Sequence, residues 1–167
     1  EKRILARKSL ISRIWLMTGK KVYRAVTRGL LNFTDREGGG PRLVNDAPTL
    51  TAVALNPTFT EAAGAGTQAP AVNVFSTANA STLEPGQSII GLNFTVSGLL
   101  DGANERLVVD GTAIPLGAGS SGTTATNAMG YTVTLAGGTA TVVLSRPGGV
   151  SVANLNALVN AITYQNT

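Results

Sequence analysis

Ile90-Gly91-Leu92-Asn93-Phe94-Thr95-Val96-Ser97 is the stretch on which the fold turns. Apolar Ile90, Leu92, Phe94 and Val96 alternate with Gly91, Asn93, Thr95 and Ser97, the period of a strand with one face on a core and the other wet. The pattern recurs downstream. Tyr131, Val133 and Leu135 alternate with Thr132 and Thr134, and Ala140, Val142 and Leu144 with Thr139, Thr141 and Val143. Ala136-Gly137-Gly138 links these two runs as a hairpin turn. A stronger hairpin signal is Leu107-Val108-Val109, then Asp110-Gly111, then Thr112-Ala113-Ile114, because Asp-Gly supplies the positive φ angles of a type I′ turn. Residues 50–55 and 71–75 add two further predicted strands.

One segment breaks this rhythm. After Pro147-Gly148-Gly149, Ser151 is placed to cap a short helix whose apolar positions are Val152, Leu155, Leu158, Val159 and Ile162. Ile162-Thr163-Tyr164 then opens a final strand. Residues 45–167 therefore read as a mostly antiparallel β-sandwich with one helical connection.

Composition divides the chain at the same place. It has 167 residues, no His and no Cys, and a formal net charge of +4. That length is enough to bury a core without disulfides. Eleven of the thirteen Lys and Arg lie in residues 1–44, with three of the nine acidic residues. Residues 45–167 keep only Arg106 and Arg146 against Asp46, Glu61, Glu84, Asp101, Glu105 and Asp110. A basic head thus precedes an acidic body. Without His or Cys there is no imidazole base, no thiol nucleophile and no thiolate metal site. Among the carboxylates, Glu61, Glu84, Asp101 and Glu105 qualify by type as a glycosidase pair. The body's aromatics are Phe59, Phe75, Phe94, Tyr131 and Tyr164, too few for a sugar-stacking cleft, and Phe94 and Tyr131 fall on core faces. No phosphate-binding glycine motif is present. The expectation is a protein that is not an enzyme.

The body carries, in order, Asn45-Asp46-Ala47-Pro48-Thr49-Leu50-Thr51, Pro57-Thr58-Phe59-Thr60-Glu61, Thr82-Leu83-Glu84-Pro85-Gly86-Gln87, Val108-Val109-Asp110-Gly111-Thr112 and the closing Ile162-Thr163-Tyr164-Gln165-Asn166-Thr167. In these motifs and their order it resembles the tandem repeats of very large secreted bacterial adhesins of the RTX type. The resemblance implies an Ig-like or cadherin-like sandwich that serves as a spacer at the bacterial surface. Its partners would be neighbouring repeats of the same polypeptide, with other domains engaging a host or surface ligand. Such repeats continue past the Tyr-x-Asn-Thr segment into further strands, so the ending at Thr167 predicts an incomplete repeat with an exposed sheet edge.

The resemblance also implies calcium at the linker between repeats. Calcium takes six to eight oxygen ligands from carboxylates, amides, carbonyls and water. Asp46, Glu61, Asp101 and Glu105 are the first candidates, with Asn45 and Asn104 beside them. Asn-Asp and Asp-Gly pairs are also ordinary turn formers, and for Asp110 the hairpin role is a sufficient explanation.

The head holds the only Trp. Ile4, Leu5, Ile11, Ile14 and Trp15, then Val22, Ala25, Val26, Leu30 and Phe33, follow helical spacing on either side of Thr18-Gly19. The segment reads as a basic helical hairpin or a disordered arm, and the abrupt change at Asn45 also fits a relic or a gene-model artefact. Its charge suits an anionic membrane surface or nucleic acid phosphates, although no specific nucleic acid is predicted. Alternatively, it packs on the body and covers an open edge. A carbohydrate-binding sandwich is the remaining alternative for the body.

Overall fold

The computed structural model describes residues 47–60 and 69–167, together with the backbone of residues 11–18 and 21–24. Twelve strands and one α-helix follow in chain order among these residues. They are β1 (Ile11–Thr18), β2 (Lys21–Arg24), β3 (Thr49–Ala54), β4 (Val72–Asn73), β5 (Phe75–Ser81), β6 (Ile89–Ser97), β7 (Glu105–Val109), β8 (Thr112–Pro115), β9 (Ser121–Thr123), β10 (Gly130–Ala136), β11 (Thr139–Val150), α1 (Val152–Asn160) and β12 (Thr163–Asn166). A 3₁₀ turn, Gly102–Asn104, leads into β7.

The strands form a six-stranded sheet in the order β2-β1-β6-β11-β10-β9, a four-stranded sheet β4-β12-β7-β8 and a two-stranded sheet β3-β5. Every pairing among the described residues is antiparallel. All three sheets and the helix feed one core. Leu92, Phe94, Val142 and Leu144 come from the first sheet, Leu107, Ile114 and Tyr164 from the second, Leu50 and Phe75 from the third, and Leu155 and Val159 from the helix. The arrangement is consistent with a β-sandwich.

Both hairpins form where their turn residues predict. Val109 pairs with Thr112, which leaves Asp110 (φ 52°) and Gly111 (φ 78°) as a two-residue loop with two positive φ angles. Ala136 pairs with Thr139 around Gly137 (φ 55°) and Gly138 (φ 69°). The helix starts at its expected cap: the Ser151 hydroxyl accepts the Asn154 N–H at 3.1 Å. It buries Leu155, Leu158 and Val159.

Two expectations change. The inward alternation of β6 holds for Leu92, Phe94 and Val96, but Ile89 is fully buried and Ile90 only half-buried. The pattern shifts phase at Gly91, beside the register shift of β11 between Ser145 and Val150, and such an irregularity re-aims side chains. In the head, the helical expectation over residues 11–18 and 21–24 is replaced by strands. β1 and β2 pair as a hairpin, with Thr18 opposite Lys21, and β1 runs along β6 from Ile11↔Val96 to Met17↔Gly91. Ile, Val, Trp and Tyr favour strands, and without β1 the nine-residue β6 would end the sheet with a row of unpaired N–H and C=O groups. The head covers an edge, as a strand and not as a helix.

Candidate functional site

Of the six sequence candidates, Asn45, Asp46 and Glu61 lie outside the described residues. Asp101, Asn104 and Glu105 come together around the 3₁₀ turn between β6 and β7. The three differ in exposure. Asp101 and Asn104 are exposed, whereas Glu105 is 1% exposed.

The Glu105 carboxylate organises this end of the molecule. Its Oε2 accepts the main-chain N–H of Leu100 at 2.8 Å and that of Asp101 at 3.0 Å. Its Oε1 accepts the Tyr164 hydroxyl at 2.7 Å. A buried charge is tolerated when several donors face it, and charge-assisted bonds are the stronger kind. Tyr164 is fixed in turn by an edge-to-face contact with Phe59, at a centroid distance of 5.5 Å. The exposed Asp101 Oδ2 accepts from Asn166 Nδ2 at 2.8 Å, and the Asn104 carbonyl accepts both the N–H and the hydroxyl of Thr167. The loop is therefore latched to the last residues of the chain.

This geometry bears on calcium. Donors aimed at both Glu105 oxygens oppose a cation at the same lone pairs. Asp101 is the carboxylate of the pair that solvent reaches. Among the described residues no group of three or more acidic side chains is gathered in one place. A site here thus needs carbonyl, amide or water oxygens, or donors from another domain.

A second polar cluster went unread in the sequence. Asp110 is buried, and its Oδ2 accepts from the Thr124 hydroxyl (2.5 Å) and the Asn127 N–H (2.8 Å), while Oδ1 accepts from Asn127 Nδ2 (2.6 Å). Asn127 Oδ1 accepts from Asn154 Nδ2 at 3.0 Å, in the first turn of α1. One side chain ties the β7–β8 turn, the loop before β10 and the helix together. The turn role stands, since φ is positive, but it is not sufficient. The signal was Asp110 beside Thr124 and Asn127, far apart in sequence and legible only through the fold.

Comparison of the chain with protein-family models, with curated proteins and with solved structures gives no match.

Proposed function

We propose that residues 45–167 form an Ig-like or cadherin-like spacer repeat of a secreted, surface-attached bacterial adhesin, stiffened by calcium where one repeat meets the next. The observation that carries this reading is the placement of the two ends of the body. Asn166 pairs with Glu105, and Thr167 donates to the Asn104 carbonyl, so the chain leaves at the Glu105 end of β7. The other end of β7 leads to Asp110, which is tied through Asn127 to Asn154 at the start of the helix. Two residues along the helix, Asn156 holds the Ala80 N–H, and the next strand residue, Ser81, pairs with Thr49 where the body begins. Thr49 and Thr167 thus lie at opposite ends of the body, the placement that a module in a linear array requires.

In such an array the Asp101 end of one repeat faces the Asn45-Asp46 linker of the next. Calcium would bind one repeat through Asp101 with carbonyl, amide and water oxygens, and donors from the next repeat would replace the waters and tighten the shell. A cation shared by two modules disfavours bending between them. The sparse, mildly acidic surface of residues 45–167 suits modules that must not aggregate.

Melting of the full chain with millimolar calcium and with EGTA tests the metal. A ligand confined to the folded state adds about 2.7 kcal/mol at a hundredfold excess over Kd, so the midpoint should rise by several degrees in calcium and the rise should vanish in Asp101→Asn. Equal midpoints in calcium and EGTA would remove the metal from the mechanism.

A further inference from the structure

Arg106 is a cation that the body leaves unmatched. Residues 45–167 hold six carboxylates and two arginines, so the composition could supply each arginine with a partner. Arg106 is half-buried on β7, and among the described residues nothing accepts a hydrogen bond from its buried Nε. A buried N–H without an acceptor is costly, and native structures keep few of them. The surroundings of Arg106 give this one a use.

β7 turns Leu107 and Val109 into the core, so Arg106 and Val108 stand on the opposite face of the four-stranded sheet. β12 alternates likewise, with Tyr164 and Asn166 buried and Thr163 and Gln165 on the outer face. Gln165 is directly opposite Arg106 on one side and Pro115 on the other. In the next row Asn73, Thr163 and Val108 lie side by side. Opposite side chains are about 5 Å apart and successive rows about 6.6 Å, so guanidinium, amide and hydroxyl share a patch about as broad as a sugar ring. No carboxylate stands in either row.

A guanidinium presents paired N–H donors that match a planar carboxylate, and Nε–H is one prong of that fork. Amides and hydroxyls both donate and accept, as sugar hydroxyls do. We infer that this sheet face binds an acidic sugar, a uronate whose carboxylate is held by Arg106 and whose hydroxyls meet Gln165 and Thr163. Nε is closed to solvent in the free protein, so binding turns the guanidinium on its long stem and gives the fork its acceptor. This site is independent of the spacer reading and gives the module a ligand of its own.

The eleven basic residues of the head attract any polyanion, so the test uses a single sugar ring and reads Arg106 itself. In nuclear magnetic resonance spectra of the full chain, galacturonate should shift the Arg106 Nε–H and the Gln165 side-chain amide along one saturable curve. Galactose and inorganic phosphate at the same concentration should leave the Gln165 amide in place. Arg106→Lys keeps the charge and loses the fork, and should weaken galacturonate binding about tenfold at an unchanged melting midpoint. Signals that stay still in galacturonate would overturn the site. Equal shifts in phosphate would reduce it to an anion contact and overturn the sugar, and equal shifts in galactose would overturn the role of Arg106. Undiminished binding by a folded Arg106→Lys would do the same, and the titration of the unmodified chain decides the matter if that variant unfolds. Each of these failures leaves the calcium test of the spacer reading untouched.

Discussion

At the scale of single residues, Asp110 and Glu105 separate a turn-former from a buried anchor. Both Asp110 oxygens accept from Asn127, one from the main chain and one from the side-chain amide. An asparagine keeps the preference for positive φ, yet in either flip it points an N–H at another donor. Asp110→Asn should therefore lower stability by about 1–3 kcal/mol in urea unfolding; a neutral result would return Asp110 to a turn role alone. Glu105→Ala leaves the N–H groups of Leu100 and Asp101 and the Tyr164 hydroxyl without their acceptor, and should cost about 2–4 kcal/mol. Glu105→Gln should recover part of this, since its amide oxygen still accepts the two main-chain N–H groups. Equal losses in the two variants would mean that neither volume nor a single amide oxygen suffices, and that the three donors require the full carboxylate.

At the scale of elements, the helix protects a sheet edge. Asn156 and Asn160 are one turn apart on α1, and their Oδ1 atoms accept the N–H groups of Ala80 (2.7 Å) and Ala78 (2.8 Å) on β5. One helical turn rises about 5.4 Å and two strand residues span about 6.6 Å, so the two spacings match. Asn156→Ala should cost about 0.5–1.5 kcal/mol and speed hydrogen exchange at Ala80; unchanged exchange there would contradict the edge role. The helix itself was legible because its cap and its 3–4 spacing agree over nine residues, and the Asp110-Gly111 hairpin because only a few residues adopt its turn. β1 was not legible. Ile11, Ile14 and Trp15 satisfy a helical period over a short run, and what decides for a strand is the open edge of β6, a long-range fact. Leu16→Pro, opposite Leu92 on β6 and Tyr23 on β2, places a proline between two paired strands and should lower the melting midpoint. An unaltered melt would show that β1 adds nothing to the stability of β6.

At the scale of the molecule, the division of charge at residue 45 does not divide the sheet: β1 and β2 of the basic head pair as a hairpin that runs along β6 of the acidic body. The calcium candidates illustrate what sequence order hides. Asp101, Asn104 and Glu105 are neighbours in the chain and in space, but only the fold reveals that Glu105 faces inward and that Thr167 latches onto the same loop. A spacer whose two termini lie at opposite ends of the body fixes one distance. Two cysteines introduced by Ala47→Cys and Thr167→Cys, spin-labelled in the otherwise cysteine-free full chain, report it by pulsed dipolar spectroscopy. Five residues of β7 at about 3.3 Å each and the thickness of a helix, about 10 Å, place the labels about 25 Å apart. A single narrow distribution near that value is expected. A distribution centred below about 15 Å, less than the length of β7 alone, would put both ends on one side and contradict it.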